Sequence, residues 1–400
     1  MFNDDLDKKW TSGNELKYLK QVLSNTAESK ANSFTAKLEN DFADLYDAKY
    51  AIAMNSATSA IHTALIAAGV GPGDEVITTP YTVLVDSGIP ILVGATPVFA
   101  DIEYDTHNID PKSIEDRITD KTKAIIPVSY HGLPYDIDAV MDIARRHNLV
   151  VIEDNAQTQL ALYKDRLIAK DAHMSLFSFE RTKHLSCGEG GMLITDNEEL
   201  AIEARKFAGM GFKNLTAGKS KMVAITPRDF QRPDYTRHDR LGLNYRFNEF
   251  CAAVVYAQFE RVEELVTIRQ NVASLYDEVF AGTDFEPQTV PEGSTSAYFT
   301  YAVKSPFDDA EDWIRFYNYH NDPDGVNGDD FYGMMQPAYR EPIMTEMGYT
   351  AKYENICPVA EKVQRRSMLF KTNYRSLDEA KHQIDRLAKS LTAYKEGLIV

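Results

Sequence analysis

The sequence predicts an α/β protein in which a large domain, built on a mostly parallel central sheet flanked by helices, is followed by a smaller C-terminal α+β domain. Three observations carry that prediction. Between residues 48 and 196, short apolar runs alternate with helix-like stretches, the order that parallel strands and their crossovers require. After a long amphipathic stretch, roughly residues 248–280, the alternation stops and scattered strand and helix signals replace it. A chain of 400 residues with 44% hydrophobic content also holds enough apolar side chain for a sizeable core.

Residues 48–55 (AKYAIAMN) read as the first strand and lead into a helix over 56–69, where Ile61, Leu65 and Ile66 recur at helical spacing. The turn GPGD at 71–74 precedes the strand EVITT, and ATPVFADI at 95–102 reads as the next strand. KAIIPVSY (123–130) and LVVIED (149–154) follow, with the helix IDAVMDIARRH between them. Then come MSLFSFE (174–180) and GMLITD (191–196), the latter running into a charged helix from Asn197. Residues 211–240 break the pattern: they are polar, carry two prolines and have no period. So long a stretch without its own structure usually serves as a lid or binding loop. The domain boundary is expected near residue 265, giving a large domain over 1–265 and a small one over 266–400. The small domain holds the strand AYFTYAVKS, a helix containing Trp313 and a final helix from Ser376.

The formal net charge of −17 argues against a nucleic-acid or anionic-membrane partner, which such a surface repels. It leaves a phosphorylated ligand open, because a local nest of backbone N–H groups binds phosphate on an acidic protein. The three cysteines, Cys187, Cys251 and Cys357, form no disulfide framework and show no zinc-ligand spacing, so no metal site is expected. The polar N-terminal sequence matches neither a signal peptide nor a transit peptide. No apolar run approaches the ~18 residues of a membrane span. A cytoplasmic location is the expectation.

Three short segments carry chemistry. In VVIEDNAQ, Asp154 stands at the carboxyl end of an apolar strand, where α/β sheets place their ligands. A plain cap or turn aspartate looks the same. In SFERTKHLSCGEGG, Lys183 follows a strand and precedes a glycine cluster. A lysine shifts its pKa readily when desolvated, as an imine-forming amine requires, although most lysines are solvated and glycine-rich turns often serve only tight packing. In NSATSAIHTAL, a strand ends, small hydroxyl residues follow and a helix begins, which offers a phosphate site or merely an N-cap at Ser56 or Thr58. Together the order is telling: a phosphate cradle, a strand-end acid, then a lysine just past another strand. Pyridoxal 5'-phosphate (PLP) needs that set: an amine for a Schiff base, a carboxylate for the pyridine nitrogen and anchors for the phosphate.

These motifs, with GATPVFADI, NIDP, LGLNYRFNE and CPVAE in one order along nearly the whole chain, resemble the DegT-type sugar aminotransferase family. The resemblance implies the PLP fold type I of aspartate aminotransferase. It further implies Lys183 as the Schiff-base lysine and proton carrier, Asp154 against the pyridine nitrogen, Gln157 near the ring hydroxyl, and Ser178 with the backbone of Ala57 and Thr58 on the phosphate. Asn244 would reach the phosphate of a neighbouring subunit, since family members are homodimers with shared active sites. The implied reaction carries an amino group from L-glutamate, or L-glutamine, to a keto-sugar, nucleotide-linked for preference, with ping-pong kinetics.

The chain departs from the family pattern in four places. Val83 stands where an aromatic ring usually stacks on the cofactor, and Ala57 replaces a usual glycine in the cradle, so its backbone must manage without positive φ. His184 follows the lysine where asparagine is common, and reads as a substrate contact or as a structural or merely solvated histidine. The 211–240 insertion is longer than in many members and brings Lys213, Lys219, Lys221, Arg228, Arg232, Arg237, His238 and Arg240. These offer contacts to a phosphate, a nucleotide or the donor carboxylate, with Arg237 a candidate substrate residue, or they line a solvated loop. Other readings are transamination of a keto-cyclitol or small phosphorylated ketone, a PLP-dependent sugar dehydratase, and a non-catalytic regulator that binds PLP or sugar. The dehydratase branch carries histidine at the lysine position.

Overall fold

The computed structural model describes residues 12–24, 33–218, 226, 228, 231–374 and 376–399. Its centre is a seven-stranded sheet made from β1 (Tyr50–Met54), β2 (Glu75–Thr78), β3 (Thr96–Phe99), β4 (Thr122–Ile126), β5 (Val150–Asp154), β8 (Met174–Ser178) and β9 (Gly191–Thr195). Between β5 and β8 lies a short hairpin of β6 (Leu162–Tyr163) and β7 (Arg166–Leu167). The sheet order is β1-β9-β8-β5-β4-β2-β3. Only β9 runs against its neighbours; the other six point the same way.

The strands are apolar on both faces, and their period of two sorts them into two cores. Ala51, Ala53, Val151, Phe177, Met192 and Ile194 join one buried cluster, whereas Ile52, Met54, Ile152, Leu176 and Leu193 join the other. Each such aliphatic side chain contributes about 1.5–3 kcal/mol on burial. Because six strands are parallel, their carboxyl ends share one edge of the sheet. Met54, Asp154 and Ser178, the last residues of β1, β5 and β8, are therefore brought together there.

A four-stranded antiparallel sheet, in the order β10-β11-β13-β12, forms from Glu286–Pro287, Thr300–Lys304, Ser367–Lys371 and Tyr332–Gly333 respectively. It packs with the helices Val262–Phe280 and Leu377–Lys395 around Tyr276, Phe280, Phe316 and Leu387. Two details differ from the sequence expectation. The stretch 248–280 is not one helix but two, Glu249–Phe259 and Val262–Phe280. Arg261 leaves helical geometry at φ −133° and ion-pairs with buried Glu15 at 3.0 Å, while Glu260 accepts hydrogen bonds from Asn14 and Tyr18. Contacts with the helix Glu15–Ser24 thus hold the break. Residues 334–363, in the expected C-terminal domain, pack back on the large sheet. Tyr353 donates to Pro97 O at 3.2 Å, and the Val359 and Ala360 amides donate to Asp101. The expected boundary at 265 falls in the first turn of the helix Val262–Phe280. Among the described residues no helix is long and apolar enough to cross a membrane, and no cluster of three or more His, Cys, Asp or Glu is placed to hold a metal ion.

Candidate active site

Asp154 closes β5 and is buried at the carboxyl edge. Its backbone continues the sheet, with the Ser129 amide donating to its carbonyl at 2.9 Å. The Ala156 amide donates to Oδ1 at 2.7 Å, which orients the carboxylate. Burial raises its pKa; the Ala156 amide, Asp86 and the Lys183 charge oppose that rise.

Lys183 lies in the loop that joins β8 to β9. The loop is closed at its base by Phe179 N donating to Gly190 O at 2.8 Å and Cys187 N to Phe179 O at 3.1 Å. Within it the lysine is pinned from both sides. Thr182 donates its amide and hydroxyl to the Glu180 carboxylate, and its carbonyl accepts from Arg269 Nη2 at 2.8 Å. His184 places Nε2 2.8 Å from Ala297 O. The Lys183 amine sits 4.0 Å from the centre of the Phe299 ring. Burial pushes its pKa down to about 8, against the pull of Asp154 and Glu180, and the Arg269 charge adds to the fall. This amine therefore gives up its proton around pH 8, well below the range in which a solvated lysine does.

The helix Ala57–Ala67 begins just after β1. Ser56 caps it, accepting from Ser59 N at 3.0 Å, which leaves the Ala57 and Thr58 amides at its positive end. Such a cap contributes about 1 kcal/mol to the helix. Ala57 is the first helical residue and takes no positive φ. Gly191 runs directly beneath it: a Cβ there would meet Ala57 N and Ser56 C, each at 2.6 Å. The second half of GEGG thus serves close packing under the cradle, the plain alternative for that motif.

The other residues named from the sequence fall as follows. Ser178 is buried, and its Oγ accepts from Glu180 N at 3.2 Å. Gln157 Oε1 accepts the His131 amide at 2.8 Å. Val83 is 40% exposed. Asn244 is exposed, just after exposed Leu241 and Leu243. Its segment is tied to the end of β1 by Asn55 N donating to Tyr245 O at 2.9 Å. His184 is buried against Phe299 and backbone, the geometry of a structural histidine. Arg237 is exposed, its guanidinium 5.9 Å from the Tyr235 ring. Three ion pairs form in and beside the described part of 211–240: Lys206 with Asp239, Arg232 with Asp234, and Arg240 with Glu203. His238 bonds Met210 O and stacks on Phe212. Lys219 and Lys221 lie outside the described residues.

Four site residues escaped the sequence reading. Asp86 is fully buried beside Asp154, and the only hint was one acid in the apolar run VLVDSGIPIL. Arg269 is buried and bonds Phe299 O, Thr372 and Thr182, so it ties the lysine loop to β11 and β13. Phe299 is the ring under the lysine. His131 has φ +60°, hydrogen bonds to Thr300 through Nδ1, and has a pKa pushed down to about 3 by burial. No local sequence signal marks the last three.

The chain matches the DegT/DnrJ/EryC1/StrS aminotransferase family over residues 10–389. It belongs to that family. The GDP-perosamine synthase of Caulobacter vibrioides is 36% identical over 269 residues, 67% of this chain and 68% of that protein. A protein of Geobacillus stearothermophilus named a pleiotropic regulatory protein is 34% identical over 341 residues, 84% of this chain and 83% of the other. Among solved structures, the aminotransferase from Psychrobacter cryohalolentis shares 30% identity and a TM-score of 0.81, covering 94% of this chain and 96% of that one. The fold is PLP fold type I, and the chain is a sugar aminotransferase of the DegT/DnrJ/EryC1/StrS family, whose aminotransferases are PLP-dependent.

Proposed function

We propose that this chain moves an amino group from L-glutamate or L-glutamine to the ketone of a nucleotide-linked sugar, with Lys183 as the Schiff-base lysine and ping-pong kinetics. The observation that carries the reading is the Lys183 amine, with a pKa near 8, in the field of a strand-end acid. The residues present fit PLP on three counts. A desolvated amine lies over the Phe299 ring, a buried carboxylate acts on it, and Gly191 lets the backbone pack closely beneath a helix start whose amides suit a phosphate. Bound there, PLP supplies an electron sink for the charge that develops on the donor's α-carbon.

The chain's own residues do the rest. Lys183, its proton affinity lowered by burial, takes the proton from the donor carbon and returns it in the acceptor half-reaction. Asp154 would hold negative charge for the ring nitrogen, Gln157 would serve the ring hydroxyl, and the Ala57 and Thr58 amides with Ser178 would hold the phosphate. Val83 covers one ring face with an aliphatic contact. His184 orients the lysine loop, and Arg237 reaches a substrate anion from the loop 211–240. Exposed Leu241 (95%), Leu243 and Phe250 around Asn244 support a homodimer in which Asn244 serves the partner's phosphate. The three cysteines are free thiols, in keeping with a reducing cytoplasm.

The 36% identity to a GDP-perosamine synthase supports the nucleotide-linked acceptor. The relative named a regulatory protein supports a second reading, a PLP-binding regulator without turnover. One experiment separates the two. Purified holoenzyme is treated with L-glutamate, then with nucleotide-linked keto-sugars, keto-cyclitols and phosphorylated ketones. The visible cofactor band should fade with the donor and return with a nucleotide-linked keto-sugar. A band that no donor bleaches sinks the transaminase reading, and return only with a cyclitol or small phosphorylated ketone replaces the acceptor.

A further inference from the structure

A second buried carboxyl stands beside Asp154 with no task yet. Asp86 lies in the helix Val85–Leu92 and is fully buried. Thr82 Oγ1 donates to its Oδ2 at 2.9 Å, whereas Oδ1 is buried without a protein donor. Its hydrogen-bonding neighbour is the Asp154 carboxyl. Two ionised carboxylates are both acceptors, so this contact is a hydrogen bond only when one of them carries a proton.

The other titratable groups that bear on the pair are Lys183, whose charge reaches Asp154; buried Glu153, which burial, with the Asp154 charge adding to it, raises to about 7; and the Tyr130 phenol, buried after β4 and itself kept neutral by burial. One ammonium cannot balance two carboxylates in a dry pocket, and like charges in contact there are relieved by protonating one. Asp154 has a backbone donor in Ala156, and Asp86 has a single hydroxyl donor in Thr82. The better-solvated anion is Asp154, so the proton belongs to Asp86.

We propose that Asp86 is a positioning residue: protonated, it donates a hydrogen bond to Asp154, aims the remaining Asp154 oxygen at the cofactor's ring nitrogen, and holds the pair at one negative charge. This rests on the role given to Asp154 above. A pair with charge −1 matches the single positive charge of a protonated ring nitrogen; a pair with −2 does not.

The test compares wild type with Asp86→Asn, which keeps a donor of the same shape, and Asp86→Ala, which removes it. Each apo chain is titrated with PLP, the visible band of each holoenzyme is followed against pH, and borohydride-trapped cofactor is mapped. Asp86→Asn should bind PLP within about threefold of wild type with an unchanged band midpoint. Asp86→Ala should weaken binding about 10- to 100-fold, the loss of one hydrogen bond to a charged acceptor, and should move the midpoint. Infrared spectra of the wild-type chain should show the carbonyl stretch of a protonated carboxyl that Asp86→Asn lacks, a reading that survives even if the alanine variant does not fold. Equal losses in both variants, no loss in either, or no such carboxyl band overturns the proposal. If the wild-type label is not on Lys183, it is the underlying site assignment that fails.

Discussion

At the carboxyl edge of the sheet, Asp86 and Asp154 are buried beside a half-buried Lys183, and Asp86 Oδ1 has no protein donor. Among the described residues of 211–240, Arg228, Arg232, Asp234, Arg237, Asp239 and Arg240 stand in solvent, and Arg232 and Arg240 each already have an acid at hand. Exposed pairs of that kind are worth about 0–1 kcal/mol and leave both groups in their ordinary ionisation state. The group at the sheet edge is different. Desolvation moves the proton affinity of each member, which is what proton transfer and imine chemistry need. Counting cations drew attention to the loop; burial and imbalance of charge point to the sheet edge.

The contrast is open to direct attack, beginning with the lysine. Lys183→Ala should cost more than the ~10²–10⁴-fold expected of a positioned proton carrier alone, because the covalent anchor goes too. Steady-state turnover with an identified donor and acceptor measures it, and near wild-type rates would mean another amine does the work. Asp154→Asn should come next, with kcat lower by about 10²–10³-fold, the scale for losing one preorganised electrostatic partner.

The same variant sharpens the electrostatics. The rate at which apo chain takes up PLP should rise with pH as the Lys183 amine loses its proton, with a midpoint near 8. Asp154 raises that pKa, so Asp154→Asn should move the midpoint downward. A midpoint at the value of a solvated lysine, or an upward move in the variant, contradicts the geometry.

Arg269→Leu probes the support beneath the lysine. It removes the donor shared by Thr182 O, Phe299 O and Thr372 Oγ1; Phe299 O keeps the Thr372 hydroxyl, so the cost is about 1–3 kcal/mol in hydrogen bonding plus the lost tie between the lysine loop and the small sheet. Thermal denaturation should show a large fall in Tm, with the lysine midpoint displaced in whatever folded protein remains. The smallest effect is expected in the loop. Arg237→Ala should change stability by less than about 0.5 kcal/mol. If Arg237 meets a substrate anion, KM for that substrate rises several-fold while kcat holds. Unchanged KM values for both substrates would return Arg237 to the solvated loop.

The strands were legible because a buried parallel sheet needs continuous apolar runs, and β5 and β8 end within two residues of where those runs end. Lys183 and Asp154 stood out because they follow such runs directly. The helix break at 260–261 was not legible. The apolar pattern continues through it, and the interruption comes from Glu15, Asn14 and Tyr18, distant in sequence. Asp86 was hidden for a related reason. Nothing in VLVDSGIPIL says that its helix faces Asp154, because strand order rather than sequence order makes them neighbours. His131 looks ordinary in PVSYHGLP, yet takes φ +60° with its ring buried against Tyr130. Its amide holds Gln157 where the site needs it.

The most direct test is chemical. Holoenzyme is reduced with borohydride, digested, and the labelled peptide sequenced by mass spectrometry. The label should sit on the lysine of SFERTK, Lys183, and be absent from the Lys183→Ala protein. A label on any other lysine, or none in a preparation that binds PLP, contradicts the account.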